Sequence, residues 1–93
     1  MDILLRQDNV SSKTITLSKN YSSGILSIEM AKQGAGNMDV TSISTSGSGT
    51  IERIGRVGSY FSSSVFYSVK NLKENDTISF SHATANNQTV MFY

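Results

Sequence analysis

Apolar and polar residues alternate in short runs along this chain, and the runs restart about every ten residues. A period of two sends successive side chains to opposite faces of an extended backbone, so each run reads as a half-buried β-strand. Lys13-Thr-Ile-Thr-Leu-Ser18 sets Ile15 and Leu17 on one face and threonines on the other. Gly24-Ile-Leu-Ser-Ile-Glu-Met30 groups Leu26, Ile28 and Met30, and Ser64-Val-Phe-Tyr-Ser-Val69 groups Val65, Tyr67 and Val69. Asp76-Thr-Ile-Ser-Phe-Ser81 alternates through Ile78 and Phe80, and Gln88-Thr-Val-Met-Phe-Tyr93 through Val90 and Phe92. Asp39-Val-Thr-Ser-Ile-Ser44 and Gly49-Thr-Ile-Glu-Arg-Ile54 are strand-like with a less regular period. The pattern predicts an all-β fold of about seven to eight short antiparallel strands, a sandwich or a barrel, in one domain over residues 1–93. The helical alternative is confined to residues 25–33, with Gly34 and Gly36 as a C-terminal stop.

Proline is absent, where an average composition gives about four or five in a chain this long. Gly, Asn and Asp must therefore build the turns, because they reach positive φ at low cost. The corners fall at Asn9, Asn20, residues 34–37, Gly47-Ser48-Gly49, Gly55, Gly58, Asn75-Asp76 and Asn86-Asn87. Two segments read as loops: the polar stretch 32–37, and residues 54–64, which mix two glycines, Arg56, Tyr60, Phe61 and a serine run.

A chain of 93 residues has a thin core, and with no cysteine it lacks both disulfides and thiolate metal sites. Oligomerisation is the remaining common reinforcement, and it makes another copy of the chain an expected partner. Net charge is +1 and only 16% of residues are charged, so no whole-domain field draws nucleic acid or an anionic membrane. Ile3-Leu4-Leu5 is flanked by Asp2, Arg6 and Asp8, which is too short and too charged for a signal peptide or a membrane span. The expectation is a chain made and kept in a cytoplasm unless carried out in a larger particle. The sequons at Asn9, Asn20, Asn75 and Asn87 then follow from composition and stay unglycosylated.

Chemistry-bearing motifs are sparse. His82 follows a strand and reads as a solvated loop histidine; no Gly-x-Ser-x-Gly elbow accompanies it. One histidine and scattered carboxylates match no common zinc or calcium pattern, and no cofactor is implied. Gly34-Ala-Gly36 and Gly47-Ser-Gly49 do not continue as phosphate loops, so hairpin turns are the better reading. Arg53 and Arg56, close to Tyr60 and Phe61, form a candidate ligand or interface cluster, because arginine and aromatic rings stack on bases and sugars and grip phosphate. The same residue types are enriched at protein–protein hot spots, and a solvated hairpin with Phe61 buried is the plainer alternative. Tyr67 reads as core. Tyr21 and Tyr60 fall in predicted loops, so Tyr21 joins the candidate set.

Val69-Lys-Asn-Leu-Lys-Glu-Asn-Asp-Thr-Ile-Ser-Phe80 resembles a corner of jelly-roll and β-sandwich domains. In that resemblance Leu72 plugs the end of the sandwich and Asn75-Asp76 turns the chain into the next strand, at a place where Gly-Asp is more common. Asn75 is compatible because asparagine also visits the left-handed region. With its composition, the whole chain resembles small β-sandwich proteins of tailed-phage virions: tail, baseplate or head-decoration components. The resemblance implies a jelly-roll-like, non-enzymatic structural protein that forms a homo-oligomer and contacts other virion proteins. The alternative is a small binding module for a glycan, a nucleotide or another phosphorylated small molecule, carried by Arg53, Arg56, Tyr60 and Phe61.

Overall fold

The structure is a computed structural model that describes residues 1–8, 12–31, 38–59, 62–83 and 87–93. Eight strands follow one another: β1 (Asp2–Asp8), β2 (Ser12–Thr16), β3 (Tyr21–Ala31), β4 (Asp39–Thr45), β5 (Thr50–Gly58), β6 (Ser62–Leu72), β7 (Thr77–Ala83) and β8 (Asn87–Phe92). They form a five-stranded sheet, β1-β8-β3-β6-β5, and a three-stranded sheet, β2-β7-β4, with every pairing antiparallel. Only the β5–β6 connection stays within one sheet; every other connection crosses to the opposite layer. Interleaving 1-8-3-6 over 2-7-4 gives the jelly-roll-like sandwich that the corner motif implied. The fifth strand departs from a simple four-over-four split, because β5 bonds to β6 and not to β4.

The period-two runs explain these layers. Leu26, Ile28 and Met30 on β3, Val65, Tyr67 and Val69 on β6, and Val90 and Phe92 on β8 line the inner face of the larger sheet. Ile15, Ile78, Phe80 and Val40 answer from the smaller sheet, with Leu17 just beyond β2. The Cα radius of gyration, 12.5 Å, matches the roughly 12 Å of a close-packed chain of this length. Residues 25–31 belong to β3, so the helical alternative fails where it can be checked. Leu26, Ile28 and Met30 bury one face at period two, which no helix achieves.

β1 is absent from the sequence expectation. Its register against β8 slips between Ile3 and Leu5 and again between Leu5 and Asp8, which destroys the alternation while leaving Leu4 and Leu5 against the core. The predicted loop at 54–64 is also shorter than expected: residues 54–58 continue β5 and 62–64 begin β6. The loop at 32–37 lies outside the described residues.

The β6–β7 corner follows the resemblance. Leu72 is 1% exposed at the end of β6. Asn75 takes φ 72°, and Asn71 also turns left-handed at φ 58°. The Asp76 carboxylate accepts the Lys73 N–H at 3.0 Å, and the Asp76 N–H returns to the Lys73 carbonyl at 3.0 Å. Reciprocal 2.9 Å bonds, Leu17 N–H to the Asp76 carbonyl and Asn75 N–H to the Leu17 carbonyl, then tie this corner to the chain leaving β2.

Candidate interaction surfaces

The register places Arg53 opposite Tyr67 and Arg56 opposite Val65, both on the inner face of edge strand β5. A register shift between Arg53 and Gly55 produces this: Ile54 is the extra residue of a bulge, left 59% exposed, while Arg56 is returned to the inward side. The two arginines therefore reach across the seam toward β4. Arg53 donates to Asp39 through two parallel bonds, Nη1 to Oδ1 at 2.9 Å and Nη2 to Oδ2 at 3.1 Å. Arg56 Nη1 donates to the Met38 carbonyl at 3.1 Å and to Ser63 Oγ at 3.2 Å. The Arg53 guanidinium holds the Asp39 carboxyl below the usual carboxylate range, and Asp39 raises Arg53 in turn. Inward-pointing charge on an edge strand also blocks strand addition by another chain. β4 and β5 leave a shallow cleft of about 290 Å³ along this seam, with Arg53, Ile43, Ile51 and Tyr67 on its walls.

Tyr60 and Phe61 lie outside the described residues, so the cluster comes together only as far as Arg53 and Arg56. Tyr21 requires a correction. It is not in a loop but is the first residue of β3, 5% exposed, with its ring 4.1 Å from that of Phe92. Its hydroxyl donates to Asp2 Oδ2 at 2.9 Å, and Lys19 Nζ reaches the same oxygen at 2.7 Å. Burial, with the neighbouring Asp2 carboxylate, pushes the Tyr21 phenol up to about 12. Lys19 and Tyr21 together hold Asp2 low. This group fastens the start of β1 to β3 and β8.

His82 requires a second correction. It sits on β7, 6% exposed, and its Nε2 donates to Gln88 Oε1 on β8 at 3.1 Å, a polar contact between the two sheets. Among the described residues no three metal-ligating side chains come together. No helix there is long and apolar enough to cross a membrane.

The two outer faces of the sandwich differ in chemistry. The smaller sheet carries hydroxyls: Thr14, Ser79 and Ser44 form one row, Thr16 and Thr77 a second, and Ser81 and Ser42 a third. Thr14 and Ser79 hydroxyls lie 3.0 Å apart. Such a face suits water and accounts for much of the low charge content.

The larger sheet carries an apolar row instead. Register links Ile3 to Met91, Met91 to Ser27, Ser27 to Phe66 and Phe66 to Gly55, one residue from each of the five strands. Ile25 and Tyr93 extend the row on one side, and Val57, 71% exposed, on the other. Ser27 is buried between its larger neighbours Met91 and Phe66. Sequence reading missed this face because its members come from five separate runs and each looks like an isolated outward residue. Comparison with protein families, with curated proteins and with solved structures finds no match to the chain.

Proposed function

We infer that the chain is a non-enzymatic structural or interaction protein that works as an oligomer, as a component of a tailed-phage virion. The observation that carries the interaction reading is the partly exposed apolar row across the outer face of the larger sheet, on a molecule whose opposite face is hydroxylated. Contiguous exposed apolar surface is costly in water and marks contact sites. The virion part rests on the resemblance of the β6–β7 corner and on composition. Mass spectrometry of purified particles from cells carrying the gene tests it. The chain should co-purify with assembled particles in a fixed copy number. Particles that assemble without it, with the chain left in the soluble fraction, would remove the virion reading.

The seam cleft beside Arg53 supports a second reading, a small binding module for a glycan or a phosphorylated small molecule. Thermal-shift screening against oligosaccharides and nucleotides tests it. A shift that Arg53→Ala abolishes supports this reading, and no shift with any compound contradicts it.

A further inference from the structure

We propose that the outer face of the five-stranded sheet is a self-association surface, through which two copies of this chain pack face to face about a two-fold axis. This rests on the interaction reading above and names its partner. The centre of the face is apolar: Met91, Phe66 and Ile25 flank the buried Ser27, and Ile3 continues the row beyond Met91. Five strands at about 4.8 Å spacing span roughly 24 Å over the rows from Glu29 to Ile25, and β3, β6 and β5 carry the face on to Lys70, about 20 Å from Glu29 along the strands. That is about 400 Å² in plan, and side-chain relief raises it toward the roughly 800 Å² that each partner contributes to a standard interface.

The charges on this face select the partner and the axis. Glu29 on β3 and Lys70 on β6 are both exposed outward residues at opposite ends of the apolar rows, since Lys70 pairs with Ser23, six residues before Glu29. An in-plane two-fold axis running across the strands reverses their direction. It brings the Glu29 end of one copy over the Lys70 end of the other, and symmetry repeats the pair. An axis running along the strands would set Glu29 near Glu29 and Lys70 near Lys70, which like-charge repulsion disfavours. Among the described residues Glu52 also carries charge on this face; it stands opposite Ser68 on edge strand β5, where it belongs to the rim. The remaining surfaces are poorer candidates: the smaller sheet presents hydroxyls, and the bulged edge of β5 turns its arginines inward.

Sedimentation velocity over a wide range of chain concentration tests the proposal. The wild-type chain should show a dimer of twice its 10.1 kDa mass at high concentration. Met91→Lys puts a charge at the desolvated centre and should weaken the dimer about a hundredfold. Glu29→Lys should weaken it about tenfold, because symmetry loses two pairs and adds two repulsions, and Lys70→Glu added to it should restore most of the loss. Circular dichroism should stay native in each variant, since all three side chains point away from the core. A chain that is monomeric at every concentration overturns the proposal, while particle incorporation still decides the reading on which it rests. A dimer that none of these variants weakens also overturns it, and leaves self-association to another surface.

Discussion

Arg53 and Asp39, 14 residues apart in the chain, meet fork to fork across the open seam between β5 and β4, with paired bonds of 2.9 and 3.1 Å. The pair bridges two strands that belong to different sheets and do not hydrogen-bond to each other. It therefore ties the edge of the larger sheet to the smaller one across that seam. Both side chains are about 40% exposed, so water screens the attraction and the contribution is modest.

A double-mutant cycle measures it. Arg53→Ala and Asp39→Ala should each cost about 1 kcal/mol in chemical unfolding, and the pair should couple by about 0.5–1 kcal/mol. Additive single losses would mean that the bidentate geometry contributes nothing.

The same carboxylate sets part of the acid limb of stability. Asp39 titrates below its ordinary 3.8 when folded, chiefly through the Arg53 hydrogen bonds. Asp2 is lowered in the same sense by Lys19 and Tyr21. A depressed carboxylate stabilises the fold above its unfolded value and loses that contribution as pH falls through the folded value. Stability should therefore decline below pH 3.8, and Asp39→Asn should flatten the decline, as read from denaturant midpoints against pH.

Tyr21 acts on the alkaline limb with the opposite sign. Its folded value, about 12, lies above the ordinary 10, so the neutral phenol is the stabilised form. That contribution is complete below pH 10 and is lost as pH rises toward 12. Tyr67 is raised by burial and adds to the same decline. Tyr21→Phe should leave a shallower fall in melting temperature over this window. An unchanged slope would show that the Tyr21 phenol is neither buried nor held by Asp2 in solution.

Gly24 is required by close approach. A Cβ there would lie 2.5 Å from the Tyr93 carbonyl oxygen and 2.5 Å from the Phe92 ring. The adjoining residues Ile25 and Tyr93 exchange both backbone bonds, at 3.0 and 2.8 Å, so the end of β8 has no free direction in which to retreat. Gly24→Ala should cost about 1–3 kcal/mol, with Phe92 released from Tyr21. A variant as stable as the wild type would show that the β8 end is not seated against Gly24.

The fold was legible where the physics is local. Period-two runs located five of the strands, β2, β3, β6, β7 and β8, because each buries one face by itself, and less regular strand-like runs located β4 and β5. The Asn75-Asp76 turn was legible from the conformational range of asparagine, and the place of Leu72 from the resemblance of its corner to jelly-roll domains. β1 was not, because its register slips break the alternation that marks a strand. Arg53 and Arg56 were grouped from their spacing in the sequence, but a bulge decides which way they point, and a bulge has no signature in residue type alone. Tyr21 and His82 looked exposed because they fall just outside the alternating runs, whereas their burial comes from strands distant in the chain. The apolar row across five strands depends on register throughout, and no single run contains it.

The most direct test of the self-association account is methyl NMR of the four methionines as chain concentration is raised. Met91 lies at the centre of the proposed contact, while Met30 and Met38 are buried in the core and serve as internal references. The account predicts that the Met91 methyl shifts or broadens with concentration while Met30 and Met38 keep their positions. A Met91 signal that stays fixed over the range in which the chain dimerises would contradict it.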